Sequence, residues 1–197
     1  MSTTEPIRSK IELKKFIAYY KSQRPNFRNY CLIQLGLNTA LRINDLLHLK
    51  WKDVLDEHYE FRKYIEVIEA KTKKKKAIPI NKTCQKALIQ FMNYESIRVL
   101  KLDNYIFYSK KSSAINSPLS RVQAYRIMKE AANATLKNPS HISCHSLRKT
   151  FGYYAYKAGA NPIILMDIYN HSSFEITKRY IGITQEEKDE IYNNIYN

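Results

Sequence analysis

Apolar residues recur along most of the chain at the three-to-four-residue spacing of amphipathic helices. Near the N-terminus this spacing predicts a helix through about Tyr20, and Ser9 followed by Glu12 forms a capping-box pattern at its start. Thr184 with Glu187 forms a second such pattern, which predicts a C-terminal helix. Further helices are predicted over about 27–37, just after Arg42, from Asn81 to about 94, from Ser120 to about 136, from Ser143 or Cys144 to Gly159, from Asn161, and from Ser172 or Ser173.

Two segments are rich in β-branched and aromatic residues instead. Residues 61–70 and 76–80 predict paired strands, and the sequence KTKKK between them predicts a hairpin tip. Pro79 predicts that the second strand lies at an edge, and residues 105–108 predict a further brief strand. Only four glycines and six prolines interrupt the chain. The expected fold class is therefore mainly α with a small antiparallel β-sheet.

The charge balance points to a polyanion as the partner. The 197 residues are 44% apolar, which is enough for one domain with a sizeable core. Lysine and arginine number 33 against 18 acidic residues, and the formal net charge of +15 argues against a generic metabolic enzyme. No apolar run approaches the roughly 20 residues of a membrane span, and the N-terminus lacks a signal peptide, so a cytoplasmic protein without membrane contact is expected. Three cysteines without a CxxC pair predict buried thiols, not a disulfide framework or zinc site.

Candidate chemistry is concentrated between residues 141 and 184. In HSLRKT, His145 and Arg148 lie three residues apart, so a helix would place both on one face, where they could hold a small anion. His171 and Tyr180 follow, and a tyrosine hydroxyl could serve as a nucleophile. Each signal is weak alone, because an isolated HxxR can be a surface pair and most of the 16 tyrosines must belong to the core or the amphipathic surface.

Four segments together carry a specific resemblance. TALRINDLLHLKWKDV resembles T-G-L-R-x-x-E-L-x-x-L-x-W-x-D, and AKTKKKKAIPI resembles a hairpin segment whose lysine precedes a proline by eight residues. HSLRKTF resembles H-x-L-R-H-T-F, and IYNHSSFEITKRY resembles L-G-H-S-S-x-x-x-T-x-x-Y, with histidine and tyrosine nine residues apart in both. These motifs, in this order, resemble the tyrosine recombinases, the family of phage integrases, Xer-type chromosome resolvases and the Cre recombinase. The resemblance covers nearly the whole chain and implies the family's catalytic-domain fold.

The resemblance implies a catalytic set, a supporting acid and a phosphate-binding lysine run. The catalytic set is Arg42, Lys71, His145, Arg148, His171 and Tyr180, with Asp45 supporting; the run is Lys73, Lys74, Lys75 and Lys76. An open alternative is that all five lysines form only a solvated patch that attracts phosphate. The chain departs from the family pattern at Ala40 and Asn170, where glycine is usual, and at Lys149, where histidine is usual.

The implied reaction is attack of the Tyr180 hydroxyl on a DNA phosphodiester, which leaves a 3′-phosphotyrosine and a free 5′-hydroxyl. Arg42 and Arg148 would stabilise the charge on the non-bridging oxygens, and His171 would donate a further hydrogen bond. His145 is the candidate base and Lys71 the candidate acid for the leaving 5′-oxygen. No metal, nucleotide or other cofactor is expected, because one phosphate ester replaces another.

The implied function is site-specific recombination of double-stranded DNA, by integration, excision or inversion of a mobile element of bacterial or phage origin. Alternatives are DNA relaxation like that of type IB topoisomerases, or a non-catalytic DNA-binding regulator. Residues 1–197 are expected to form one catalytic domain without a core-binding domain, either excised or naturally short like the fimbrial-switch recombinases. A monomer without DNA and a homotetramer on DNA are expected, with helix 184–197 docking on a neighbour or on its own core.

Overall fold

The computed structural model describes residues 4–71, 73–94, 101–109, 117–183 and 185–195. The helices are α1 (Lys10–Ala18), α2 (Phe27–Thr39), α3 (Ile43–Leu47), α4 (Lys82–Tyr94), α5 (Arg121–Thr135), α6 (Cys144–Lys157), α7 (Pro162–Tyr169), α8 (Phe174–Ile181) and α9 (Gln185–Asn193). A π-helical turn (Tyr19–Gln23) extends α1, and a 3-10 turn (Trp51–Asp53) follows α3. The strands are β1 (Tyr64–Ile68) and β2 (Lys75–Pro79). The predicted fold class, mainly α with a small antiparallel sheet, is confirmed.

Side-chain caps begin several helices where the sequence predicts them. The Ser9 hydroxyl accepts a hydrogen bond from the backbone N–H of Glu12 at 3.3 Å. Ser120 and Gln123 form a reciprocal capping box at the start of α5. Asn81 caps α4 by accepting from the backbone N–H of Cys84 at 2.9 Å.

The structure also decides between the alternative helix starts, Ser143 or Cys144 for α6 and Ser172 or Ser173 for α8. Ser143 is the N-cap of α6, where its hydroxyl accepts from the backbone N–H of His145 at 3.2 Å. Ser173 is the N-cap residue of α8 but makes no side-chain capping bond. The predicted capping pair Thr184 and Glu187 lies outside the residues whose side chains are described.

β1 is shorter than predicted at both ends, and β2 begins and ends one residue earlier than predicted. Tyr64 pairs with Pro79 and Ile68 pairs with Lys75, so Lys75 belongs to β2 and not to the tip. The tip is closed by the backbone N–H of Glu69, which donates to the carbonyl of Lys74 at 3.1 Å. The ladder therefore ends one residue before Glu69, and Lys71 lies in the loop beyond it.

The predicted strand over 105–108 is wrong. Tyr105 forms an isolated bridge with Lys50, and Tyr108 forms another with Pro118. Because the backbone of this segment finds its partners in two separate short loops, no continuous ladder develops. Ile106 and Phe107 are nevertheless fully buried. The apolar residues of this segment therefore indicate burial in the core and not strand pairing.

Helix α2 lies at the centre of the core and packs against α4 and α6. Its residues Leu32, Ile33 and Leu35 are completely buried. A second, smaller apolar cluster surrounds Tyr169 and includes Leu165, Ile181 and Ala40. This second cluster packs α7 and α8 against α6, where it includes Phe151 and Ala155, and so brings the motif residues together. Within the described part of the chain, no helix is long and apolar enough to cross a membrane.

Candidate active site

The residues predicted for catalysis converge on one cavity of about 820 Å³. Its lining comprises Arg42, Ile43, Asn44, Asp45, Ala70, Lys71, Lys74, Arg121, His145, Asn170, His171, Ser172, Ile176 and Tyr180. Arg148 is absent from this lining because it lies one layer deeper, with its guanidinium carbon 5.7 Å from the centroid of the Tyr180 ring. Arg121, which the motif analysis did not single out, adds a cation at the first position of α5.

Arg148 is held from several sides in the interior. Its side chain is only 1% exposed, and its Nη2 donates to the carbonyl of Tyr169 at 2.7 Å. Its Nη1 donates to the carbonyl of Ala40, and the Tyr169 hydroxyl donates to the Arg148 carbonyl at 2.8 Å. A buried guanidinium with this many fixed partners keeps one orientation, which suits a group that must meet a planar array of oxygens.

Glu69 is a component of the site that the sequence analysis missed. This carboxylate is completely buried, and its Oε2 lies 2.6 Å from Nη1 of Arg42. Its Oε1 lies 3.8 Å from Nη1 of Arg148. The residue follows β1 without any motif signal, because a glutamate in a strand-rich segment is usually solvent-exposed.

Tyr180 and His145 are in direct contact. The Tyr180 hydroxyl is hydrogen-bonded to Nε2 of His145, and the ring centroids are 4.9 Å apart. Burial, reinforced by Arg148, lowers the pKa of His145 to about 4, so the imidazole is neutral at pH 7. Burial raises the pKa of Tyr180, although Arg148 and Arg42 oppose this shift. A protonated nucleophile beside a neutral imidazole is the arrangement that general-base catalysis requires.

His171 is oriented by two residues that received no predicted role. Its Nδ1 is hydrogen-bonded to the hydroxyl of the fully buried Thr177 at 3.0 Å. Its ring stacks on Tyr169, with centroids 5.0 Å apart and planes 20° apart. Burial and then Arg148 lower the pKa of His171 to about 4. Thr177 could have been noticed, because it occupies the threonine of the quoted motif; Tyr169 gave no such signal.

Asp45 supports the hairpin and not an arginine. Its Oδ1 accepts a hydrogen bond from the backbone N–H of Ala70 at 3.0 Å, and the side chain is largely buried. Ala70 stands between Glu69 and Lys71, so Asp45 fixes the backbone from which Lys71 extends to the cavity. Lys71 itself is exposed at the cavity wall.

The lysine run divides into two groups. Lys73, Lys74 and Lys75 are exposed. Lys76 differs, because its Nζ is buried and makes no hydrogen bond within the described part of the chain. Burial and the neighbouring Arg148 lower the pKa of Lys76 to about 8. Alternation along β2 explains why Lys75 and Lys76 differ, because successive side chains point to opposite faces of the hairpin; Lys73 and Lys74 precede the strand.

The departures from the family pattern keep the geometry of the turns. Ala40 and Asn170 both adopt the left-handed conformation, with φ of 53° and 51°, so each replaces glycine at a position that favours it. The turn at Ala40 directs its carbonyl to Arg148. Lys149 donates to the carbonyl of Thr4 at 2.5 Å and lies 5.9 Å from the centroid of the Tyr180 ring.

Comparisons with known proteins find relatives along nearly the whole chain. The model of the phage integrase family matches residues 9–187. The probable integrase/recombinase YoeC of Bacillus subtilis is 39% identical over 186 residues, which are 94% of this chain and 93% of that protein. The tyrosine recombinase XerD of Rickettsia prowazekii is 27% identical over 182 residues, covering 89% of this chain and 58% of that protein.

The fold also has solved counterparts. The XerH site-specific recombinase, in a post-cleavage complex with its palindromic difH substrate, superposes with a TM-score of 0.71 at 19% identity. That match covers 100% of this chain and 54% of the XerH chain. The chain thus spans little more than half the length of these two Xer recombinases. With the family model covering most of its residues, the chain belongs to the phage integrase family.

Proposed function

We propose that this chain is the catalytic domain of a site-specific recombinase that cleaves and rejoins double-stranded DNA through Tyr180. The observation that carries the proposal is the hydrogen bond between the Tyr180 hydroxyl and Nε2 of His145 at the wall of a basic cavity. A DNA-binding regulator would need the positive charge of the cavity but has no use for a paired nucleophile and base.

In the proposed cleavage step the Tyr180 oxygen attacks phosphorus and its proton passes to Nε2 of His145. The bond between phosphorus and the 5′-oxygen breaks, and this oxygen takes a proton from Nζ of Lys71. The products are a 3′-phosphotyrosine and a free 5′-hydroxyl, and attack by the 5′-hydroxyl of another strand reverses the step. One phosphate ester replaces another, so the reaction needs no nucleotide.

The groups around Tyr180 and His145 would stabilise the negative charge on the phosphate. Arg42 is 19% exposed and faces the cavity, where it can meet the non-bridging oxygens. Arg148 lies beneath the Tyr180 ring and reaches the phosphate as this ring moves toward phosphorus. If the Thr177 hydroxyl donates to Nδ1 of His171, Nε2 carries the proton and can donate to the phosphate.

Covalent trapping tests the proposal. The substrates are nicked duplexes from the ends of the DNA element that encodes the chain, and the proteins are the wild type, Tyr180→Phe and the control Tyr59→Phe, whose tyrosine is 56% exposed. We expect a denaturation-resistant protein–DNA adduct with the wild type and Tyr59→Phe only. An adduct that survives in Tyr180→Phe would refute the nucleophile. Salt-dependent DNA binding without any adduct would favour a regulator, and plasmid relaxation without strand exchange between duplexes would favour a topoisomerase.

The proposal includes assembly of four copies on two duplexes, with α9 docking on a neighbouring subunit. The support is the exposure of apolar side chains on α9 and just after it. On the helix Ile191 is 63% exposed and Tyr192 78%, and Ile195, two residues beyond its end, is 57% exposed. A chain truncated after Ile183 should bind DNA but fail to form the synaptic complex in native gels and sedimentation. The same complex formed by the truncated chain would contradict docking through the tail.

A further inference from the structure

Glu69 lies on the protein side of the active-site cavity. Its carboxylate contacts Arg42 and faces Arg148, yet it is fully buried and does not line the cavity, whereas Arg42 does. Incoming DNA would therefore contact Arg42 from the cavity side, while Glu69 contacts Arg42 from the protein interior. Glu69 cannot itself touch the phosphate in this arrangement, so any effect on the reaction must pass through its neighbours.

The position of Glu69 suits the electrostatic problem of two adjacent guanidiniums, one buried and one at the cavity wall. Burial, and next the charge of Arg42, lower the pKa of Arg148, which reflects the repulsion between the two cations. A carboxylate within 2.6 Å of one guanidinium and 3.8 Å of the other offsets this repulsion before DNA is bound. It also fixes Nη1 of Arg42, while Nη2 of Arg42 donates to the carbonyl of Tyr169 at 3.5 Å, so the fork is held at both terminal nitrogens beside the cavity.

Glu69 is tied to the opposite wall of the site by Asn170. The side-chain amide of Asn170 donates to Oε2 of Glu69 at 2.8 Å. Asn170 adopts the left-handed conformation directly after α7, and the next residue is His171. Glycine would satisfy this backbone conformation equally well but could not make the amide contact. Asparagine therefore provides both the turn and a tether to the hairpin.

Together these contacts connect three groups of the proposed reaction. Lys71 follows Glu69 by two residues, Arg42 is its ion-pair partner, and His171 follows its hydrogen-bond partner. The two ends of the tether are 101 residues apart in sequence, so only the folded chain holds them in register.

We propose that Glu69 and Asn170 form a positioning pair that presets Arg42, Lys71 and His171 for strand cleavage. The inference rests on the proposed function. Both residues act through their neighbours and do not touch the DNA. The pair contributes to the rate of cleavage by fixing geometry, not to the affinity for DNA.

Glu69→Gln is the informative variant because it keeps the shape and an acceptor oxygen while it removes the charge. Glu66→Gln is its matched control, since Glu66 is exposed on β1 and loses the same charge. Asn170→Gly removes the amide and keeps the turn. All variants are first compared with the wild type by thermal unfolding, and only those that fold are carried into the kinetic comparison.

Single-turnover formation of the covalent adduct and the Kd for the same duplex are then measured. We expect Glu69→Gln and Asn170→Gly to form the adduct roughly tenfold or more slowly at saturating DNA, the scale on which outer-shell partners act elsewhere. The Kd should stay within about twofold, and Glu66→Gln should match the wild type in both. The double variant should be slowed by less than the product of the two single effects, because both changes weaken one connected set of contacts around Glu69. A normal rate in Glu69→Gln, additive losses, or a loss confined to Kd would overturn the proposal.

Side-chain ¹⁵N NMR of the arginines provides a readout that does not require catalysis. The Arg42 guanidinium should show restricted rotation in the wild type and in Glu66→Gln, and faster rotation in Glu69→Gln. If the wild type forms no adduct, the proposed function fails while this measurement still decides the positioning role. Unchanged rotation of Arg42 in Glu69→Gln would refute the pair even with an active enzyme.

Discussion

Acid sensitivity of the fold follows from the buried, neutral state of His145. In the unfolded chain a histidine binds a proton below about pH 6.5, whereas burial and Arg148 lower the pKa of His145 in the folded chain to about 4. Between these values the unfolded state holds more protons than the folded state. The free energy of unfolding therefore falls as the pH falls through this window, and the stabilisation is complete above about pH 6.5.

The lowered pKa of His145 also gives the size of the change in the free energy of unfolding. One pKa unit corresponds to about 1.4 kcal/mol, so a shift from 6.5 to about 4 corresponds to about 3 kcal/mol for this side chain. His145→Gln removes the titrating group and should lose less stability on acidification than the wild type by about this amount.

Urea unfolding followed by circular dichroism at a series of pH values between about 7.5 and 4 measures this difference without any DNA substrate. The wild-type curve should fall more steeply than that of His145→Gln, and most of the divergence should occur below about pH 6.5. If the two curves stay parallel across this window, His145 is not held neutral by its surroundings, and the argument for it as the base fails.

Three further predictions concern individual contacts. Thr177→Val removes the hydroxyl partner of His171 and should slow adduct formation roughly tenfold, while Thr177→Ser keeps the hydroxyl and should not. Equal rates in both variants would contradict a role of this hydroxyl in positioning His171. Lys71→Ala should slow cleavage of a normal duplex but not of a duplex with sulfur at the bridging 5′ position, because a thiolate leaves without a proton. The control Lys75→Ala should change only the salt dependence of DNA binding. Failure of the sulfur substrate to rescue Lys71→Ala would argue against the acid role. Gly152→Ala would place a methyl group against the Tyr169 hydroxyl and should lower the free energy of unfolding by about 1–3 kcal/mol in urea titrations. Part of this loss should be recovered in a Tyr169→Phe background, which lacks the hydroxyl. Full stability of the single variant would contradict the predicted clash.

The sequence by itself determined the local features of this protein. Helix starts at Ser120, Ser143 and Asn161 follow from capping chemistry that involves only neighbouring residues. The resemblance of four motifs to those of the tyrosine recombinases implied which side chains would share one site. Even the left-handed turn at Asn170 was within reach, since asparagine tolerates this conformation.

Only the tertiary structure decided which groups meet across long separations and what burial does to them. Glu69, Tyr169 and the inward-facing Lys76 gave no sequence signal, because an isolated charge or tyrosine looks the same in a solvated and a buried position. The neutral state of His145 likewise depends on the layers packed over it and on Arg148 beside it. Spacing along a chain fixes periodicity within an element, whereas burial and ion pairing depend on elements that approach from elsewhere in the fold.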